Sequence, residues 1–134
     1  MRKLLLKNLL LTLLFSFLSA GFIFSMYYSA SEPGFEAGQV LFIILIIAEI
    51  FGHLLLFLSA LPVLALAKPV NFANKSTRIV YYFGGPAALT ILLILLIATS
   101  DGFSEMLLMM VPHVTFLSIH TTFYYRLVKA QQEV

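Results

Sequence analysis

Residues 48–62 read AEIFGHLLLFLSALP and belong to a longer apolar run that extends from about residue 39 to residue 67. About 20 apolar residues already span the roughly 30 Å of hydrocarbon in a bilayer, so this run is long enough to cross a membrane as a helix. Within it stand a carboxyl, Glu49, and an imidazole, His53, one helical turn apart. The run therefore predicts a membrane-spanning helix that carries two ionisable groups away from water.

The composition of the whole chain also indicates a membrane protein. Its 134 residues are 61% hydrophobic and 10% charged, with a mean hydropathy of +1.02. A soluble domain has about a quarter charged residues. The formal net charge is only +2, and the basic residues form no continuous face of the kind that nucleic-acid binding requires. Because the chain has no cysteine, disulfides, thiolate metal sites and cysteine nucleophiles are excluded.

Hydropathy divides the chain into four blocks, at about residues 9–28, 39–67, 79–99 and 105–128. Each block is long enough to cross the membrane as a helix, and continuous apolar runs are not the alternating segments of a membrane β-barrel. The prediction is an all-α polytopic membrane protein, a four-transmembrane-helix bundle that forms a single domain over residues 1–134. We expect the second block, which is longer than a bilayer requires, to tilt, to project or to kink at Pro62.

The distribution of charge predicts how the chain is threaded. All eight basic residues lie before the first block, between the second and third, or at the end of the fourth and beyond it: Arg2, Lys3, Lys7, Lys68, Lys75, Arg78, Arg126 and Lys129. Basic residues near span ends stay in the cytoplasm, so both termini are predicted to be cytoplasmic, in the bacterial inner membrane. Tyrosine doublets at residues 27–28, 81–82 and 124–125 fall at the block ends, where phenol rings favour the headgroup layer.

Local motifs suggest how the blocks are joined. Residues 31–34, Ser-Glu-Pro-Gly, have the composition of a turn. Ser76 or Thr77 is expected to cap the third helix. Residues 84–86, Gly-Gly-Pro, are expected to form a kink or a loose first turn near the start of that helix.

Small residues spaced by four mark places where helices approach closely. In the first two blocks these residues are Ser16, Ala20, Gly21, Ser25, Ala48 and Gly52. Such spacing lets two helix backbones come together, either within one molecule or across an interface with a second copy or a partner. Packing within the molecule is the favoured interpretation.

Four ionisable residues lie inside the predicted spans: Glu49, His53, His113 and His120. At 1.5 Å per residue, Glu49 and His113 lie roughly 15 and 12 Å below the outer surface, and His53 and His120 roughly 21 and 22 Å below it. Each pair also projects from one face of its own helix. We therefore expect the second and fourth helices to touch, with Glu49 hydrogen-bonded near His113 and His53 near His120.

Several roles are open to this intramembrane polar cluster. The four side chains can simply hold helices in register, because interhelical hydrogen bonds serve packing. Glu49 with His113 can instead form a proton relay or the proton site of a small-molecule carrier. A third hypothesis is a metal ion, or a haem held by His53 and His120. The chain has no Ser-His-Asp arrangement or paired intramembrane carboxylates, so it is not predicted to be an enzyme.

Residues 48–56, AEIFGHLLL, resemble the segment around the essential glutamate of the small multidrug-resistance transporters, which are also short four-helix proteins. In that family the glutamate lies on the first helix, whereas Glu49 lies on the second. The family's later aromatic pattern is missing, and the chain contains no tryptophan. The resemblance implies a carrier, and it is confined to this one segment.

The favoured functional prediction is a small integral membrane subunit, or an assembly partner, of a larger membrane complex. The short connections leave no room for a soluble catalytic domain. Lys68, Lys75 and Arg78 are the predicted cytoplasmic contact residues. The expected partners are the lipid bilayer and other membrane proteins, or a second copy of the chain, and no cofactor is predicted. The alternatives are the proton-coupled carrier and, third, the metal or haem binder.

Overall fold

The computed structural model describes residues 1–31, 35–99 and 107–132, and these residues are almost entirely helical. No strand occurs within these three ranges, which confirms the all-α prediction. The elements in chain order are α1 (Arg2–Ser31), α2 (Phe35–Ala60), a 3₁₀ helix (Leu61–Ala67), α3 (Pro69–Ala73), α4 (Lys75–Ala98) and α5 (Met110–Gln132). Most of the predicted turn at residues 31–34 lies outside the described residues, as does the start of the predicted fourth span.

Three of the described helical segments are long and apolar enough to cross a membrane: Arg2–Ser31, Gly38–Ala67 and Lys75–Ala98. They correspond to the first three predicted spans. Helix α5 is not among them, because histidines, hydroxyl side chains and basic residues interrupt its apolar sequence. The membrane character of the chain is therefore supported by three helices rather than four.

Helices α2 and α5 form the centre of the molecule. They contact each other, and each of them also contacts α1 and α4. Among the described residues α1 and α4 have no contact, so they lie on opposite sides of the central pair. The seam between α1 and α2 therefore has one side against α5 and the other side on the outer surface.

The main apolar core lies at one end of the molecule. It joins the start of α1, the end of α2, the 3₁₀ helix, the start of α4 and α5, through Leu5, Leu9, Leu56, Ala60, Val63, Leu66, Tyr82, Phe116 and Leu127. Leu5 and Leu127 come from opposite ends of the chain, so the start of α1 and the end of α5 meet here. All eight basic residues lie in the segments around this core. We call it the basic end.

Two local predictions concern helix boundaries. The second predicted span changes its helix type near Pro62, one of the places where a departure was expected. The α-helix α2 ends at Ala60 and the chain continues as a 3₁₀ helix, because proline cannot donate the backbone hydrogen bond that an α-helix needs. The predicted cap of the third helix was wrong. Asn74 takes that position, and its Oδ1 accepts a hydrogen bond of 3.1 Å from the backbone N–H of Thr77.

The Gly-Gly-Pro motif lies inside α4 rather than in a loose first turn, because α4 already begins at Lys75. Gly85 is where α4 meets α2. A Cβ atom on Gly85 would overlap the carbonyl oxygen of Ser59 and lie 2.7 Å from its carbonyl carbon. The absence of a side chain therefore allows two helix backbones to pack directly together.

Tyr82 also departs from its predicted place. It was expected in the headgroup layer, but its side chain is fully buried between helices. Its ring packs against those of Phe83, His120 and Tyr124. Tyr27 and Tyr125, by contrast, are exposed.

Candidate functional site

All four intramembrane ionisable side chains are withdrawn from the surface. The exposed fraction is 7% for Glu49, 1% for His53, 9% for His113 and 1% for His120. This placement agrees with the high cost of presenting an ionisable group to hydrocarbon. The four side chains have different partners, however, and do not form one site.

His120 has a structural partner that explains its position. Pro86 has no N–H, so the carbonyl of Tyr82, four residues earlier in α4, lacks the donor that an α-helix normally supplies. His120 of α5 supplies the missing donor, with 2.9 Å between its Nε2 and the Tyr82 oxygen. Its ring also stacks on the Tyr82 ring at 4.2 Å. A neighbouring helix thus satisfies a carbonyl that proline has freed.

The predicted pairing of His53 with His120 is not seen. His53 packs edge-on against Phe17 of α1, with 5.5 Å between ring centroids, whereas His120 packs against α4. The two histidines share no hydrogen bond or ring contact. Among the residues that the structure describes, no group of three or more His, Asp or Glu side chains is placed to hold a metal ion. The haem hypothesis stays an untested prediction.

The predicted hydrogen bond from Glu49 to the fourth helix was also wrong. His113 donates through Nδ1 to the carbonyl of Met109 in its own helix, at 3.2 Å, and neither carboxyl oxygen of Glu49 has a hydrogen-bond partner. The space between α2 and α5 is occupied instead by Gly52 packed against Pro112. A Cβ atom on Gly52 would lie 3.2 Å from Pro112 Cβ.

Glu49 turns toward α1, where Gly21 leaves room for it. A Cβ atom on Gly21 would lie 3.8 Å from Glu49 Oε1, an ordinary contact. The small-residue stripes of α1 and α2 thus serve packing within the molecule at Gly52 and leave space for a carboxyl at Gly21. This second consequence could not be read from the spacing alone.

Glu49 and His53 are neighbours on one face of α2. His53 Nδ1 lies 3.8 Å from Glu49 Oε1 and 2.9 Å from the Glu49 backbone oxygen. A carbonyl only accepts, so Nδ1 carries the hydrogen and donates, which leaves Nε2 of the neutral ring as an acceptor. This Nε2 is buried and no hydrogen bond to it has ordinary geometry, although the backbone carbonyl of Ser16 in α1 lies beside the His53 ring. His113 lies close enough to His53 to interact with it electrostatically.

Glu49 lines an apolar cleft of about 280 Å³ along the seam between α1 and α2. We call this the Glu49 cleft. Its walls include Phe17, Gly21, Phe24, Tyr28, Phe42 and Ile50. The rings of Tyr28 and Phe42 meet edge to face at 5.9 Å, toward the end of the molecule opposite the basic end. Phe42 and Ile50 are half exposed, so the cleft opens on the outer surface of the seam, where a membrane would place lipid.

A second cleft follows on the same seam, toward the basic end. It has a volume of about 410 Å³ and is lined by Leu10, Leu13, Leu14, Phe17, Ile50, His53 and Leu54. We call it the His53 cleft. Phe17 and Ile50 line both clefts and therefore stand between them. Nothing in the sequence distinguished Phe17 from the other phenylalanines of α1, because its role depends on how α1 is rotated against α2.

The three predicted cytoplasmic contact residues differ in their surroundings. Lys68 and Lys75 are exposed, whereas Arg78 is half-buried. Arg78 donates to the hydroxyl of Tyr124 at 3.3 Å and to the carbonyl of Phe72 at 3.2 Å, and its guanidinium lies 5.0 Å from the Phe72 ring. Arg78 therefore joins α3 and α5 to the start of α4. Only the two lysines are presented outward.

Comparison of the chain with models of protein families, with curated proteins and with solved structures gives no match in any of the three.

Proposed function

We propose that the protein is a proton-linked carrier of small, mostly apolar molecules that bear one basic group. The observation that carries this proposal is the Glu49 carboxyl, which is buried beside an apolar cleft with both oxygens unpartnered. A buried polar group without a partner is costly, and a carboxyl in hydrocarbon is especially so. A ligand that brings a basic nitrogen to Glu49 would remove this cost.

The coupling to protons follows from the use of a single carboxyl. Glu49 can hold a proton, or it can give the proton up and pair with a protonated amine. Because both states use the same oxygens, ligand and proton compete for one group. The proton partner in this proposal is therefore Glu49 with its neighbour His53, which replaces the predicted pair of Glu49 with His113.

The proposal includes four membrane crossings, with both termini in the cytoplasm of a bacterium. Supporting it, Leu5 and Leu127 lie in one core cluster, as expected when the start of α1 and the end of α5 are on the same side. The clustering of basic residues at that end agrees with the tendency of Lys and Arg to stay in the cytoplasm. Helix α5 would then be the fourth span, shielded from lipid on the sides that contact α1, α2 and α4.

The carrier is tested with purified protein in lipid vesicles and a dansyl-labelled alkyl amine as the probe, with the matching dansyl-labelled alcohol as a neutral control. We expect the wild-type protein to take up the amine against a pH gradient and to bind it more tightly than the alcohol. Glu49→Gln should abolish both the uptake and the preference for the amine. Uptake that is unchanged in Glu49→Gln would refute the proposal.

A membrane subunit remains the second candidate, because one feature favours it. Val70 of α3 is 74% exposed and lies between the exposed Lys68 and Lys75. This small surface at the basic end fits contact with a partner. A subunit predicts that Lys68→Gln with Lys75→Gln weakens recovery of the partner from mild detergent, as judged by mass spectrometry, while Glu49→Gln does not. A carrier predicts the opposite ranking in the uptake assay.

A further inference from the structure

We infer that the His53 cleft holds one acyl chain of an anionic phospholipid, whose headgroup lies against Lys3 and Lys7 of α1. The inference needs α1 and α2 to lie in a bilayer, which their length and hydropathy allow. It does not depend on the proposed carrier. Three features carry it: the apolar groove, the position of the two lysines at its end, and the excess of positive charge around them.

The exposed walls of the His53 cleft are hydrocarbon. Leu10, Leu14 and Leu54 line the cleft and are about half exposed. His53 is only 1% exposed, so it presents almost no polar surface there. From Leu10 to Phe17 the groove follows α1 for about 10 Å, whereas one leaflet contains roughly 15 Å of hydrocarbon. A groove of this length and chemistry fits a lipid chain that runs along the helix.

Two lysines stand on α1 where the headgroup of such a lipid would lie. Lys3 and Lys7 belong to the same continuous helix and precede Leu10 by about 10 and 5 Å along its axis. At 100° per residue, Lys3 projects about 20° and Lys7 about 60° from Leu10, in the same sense. The α1 residues that line the cleft cover an arc of about 100°, so Lys3 falls within this arc and Lys7 about 20° beyond its edge. Both lysines are exposed, and their flexible stems can reach a headgroup between them.

The charge of the basic end favours an anionic partner. All eight basic residues lie in its sequence segments, where Glu133 is the only acid. Among the residues that the structure describes, neither Lys3 nor Lys7 has an acidic partner. Lysines placed just outside a span attract the anionic lipids of that leaflet. A zwitterionic headgroup brings its own cation, so an anionic lipid such as phosphatidylglycerol matches this end better than phosphatidylcholine.

The absence of tryptophan allows a direct fluorescence test. Leu14→Trp puts the only tryptophan in the cleft, and Val80→Trp, at an exposed position of α4 near the same end, is the control. Vesicles contain equal amounts of phosphatidylglycerol and phosphatidylcholine with the same chains, and one of the two is brominated on its chains. We expect brominated phosphatidylglycerol to quench Leu14→Trp about fivefold more strongly than brominated phosphatidylcholine. A preference no larger than that of Val80→Trp would overturn the inference.

Charge variants in the Leu14→Trp background then identify the headgroup contacts. Lys3→Gln with Lys7→Gln should bring the two lipids close to equal quenching. Lys75→Gln with Arg126→Gln removes the same charge from α4 and α5, which contribute no wall to the cleft, and should leave the preference unchanged. Glycerol 3-phosphate, a phosphate without chains, should not compete at constant ionic strength. A preference that survives the loss of Lys3 and Lys7, or that glycerol 3-phosphate abolishes, would refute the lipid site.

A measurement on the unaltered protein does not depend on the folding of a variant. Extracted in mild detergent from the same mixed vesicles, without bromine, the protein should retain one phosphatidylglycerol per chain in native mass spectrometry. Equal retention of the two lipids would contradict the inference. Because neither test uses the amine, the carrier proposal and the lipid site stand or fall separately.

Discussion

At the scale of single residues, the Glu49 cleft stays open because position 21 has no large side chain. Gly21 faces Glu49 across the seam between α1 and α2, and the remaining walls of the cleft are large apolar residues. An ionised acid in the membrane interior costs on the order of 2.5 to 3.5 kcal/mol on insertion scales. In the proposed carrier, the volume kept open by Gly21 is what would let a ligand or a proton reach that acid.

Substitutions at Gly21 should separate binding from folding. Gly21→Ala adds a Cβ atom at an ordinary contact distance of 3.8 Å from Glu49 Oε1, so the amine should still bind. Gly21→Leu should fill the cleft and abolish amine binding, with little change in the unfolding midpoint, because the new side chain extends into open space. Fluorescence titration with the dansyl-labelled amine measures this. Gly84→Leu, at an exposed glycine of α4, is the control that should bind normally.

At the scale of elements, α4 and α5 are joined by a hydrogen bond that proline makes necessary. Pro86 leaves the Tyr82 carbonyl without a donor in its own helix, and His120 provides one. In membrane proteins a single interhelical hydrogen bond contributes about 0.6 to 2 kcal/mol. His120 therefore contributes to stability through α4, whether or not ligand is bound.

A double-mutant cycle between Pro86 and His120 should reveal this coupling. We expect His120→Leu to lower the free energy of unfolding by about 1 kcal/mol, because it leaves a buried carbonyl unsatisfied. In the Pro86→Ala background the helix supplies its own N–H, so His120→Leu should cost less. Unfolding in mixed detergent micelles of the wild type, the two single variants and the double variant gives the four free energies of unfolding that the cycle needs. Equal costs in both backgrounds would show that the hydrogen bond does not depend on the proline.

Gly85 should be the least tolerant position of α4. A Cβ atom there overlaps the Ser59 carbonyl, so Gly85→Ala must push α2 and α4 apart. Overpacking of this kind costs about 1 to 3 kcal/mol. The neighbouring Gly84→Ala is the control, because its new Cβ atom would meet nothing closer than Val80 Cγ1 at 3.7 Å. Similar unfolding midpoints for the two variants would contradict the close packing seen here.

These contacts show where prediction from the sequence succeeds and where it stops. Hydropathy located the helices, and Pro62 marked the change from α2 to the 3₁₀ helix, because both depend on local chemistry. The estimated depths of the four ionisable residues along their helices correctly suggested that α2 and α5 touch. The position of Glu49 beside Gly21 and the hydrogen bond of His120 to Tyr82 were missed, because both depend on helix rotation. That rotation is decided by contacts such as Gly52 with Pro112 and Gly85 with Ser59.

At the scale of the whole molecule, the basic end gives the threading a direct test. Reporter fusions after Val134 and within residues 70–76 should be cytoplasmic, and a fusion near Gly34 should be external, since Lys and Arg near span ends stay inside. Alkaline phosphatase and fluorescent-protein reporters give opposite signals on the two sides. An external C-terminus would mean that α5 does not cross the membrane and would refute the four-span arrangement.

The hydrogen bond between His120 and Tyr82 also has a consequence for biogenesis. If α4 spans the bilayer as proposed, it is made before α5, and during that interval the Tyr82 carbonyl would lack the donor that His120 supplies. We therefore expect α4 without α5 to be less stable in the membrane and more readily degraded. A chain that ends at residue 99 should therefore be degraded faster in pulse-chase experiments than the full chain, and Pro86→Ala should lengthen its half-life. In this proposal α5 stabilises the inserted α4 by supplying the missing donor.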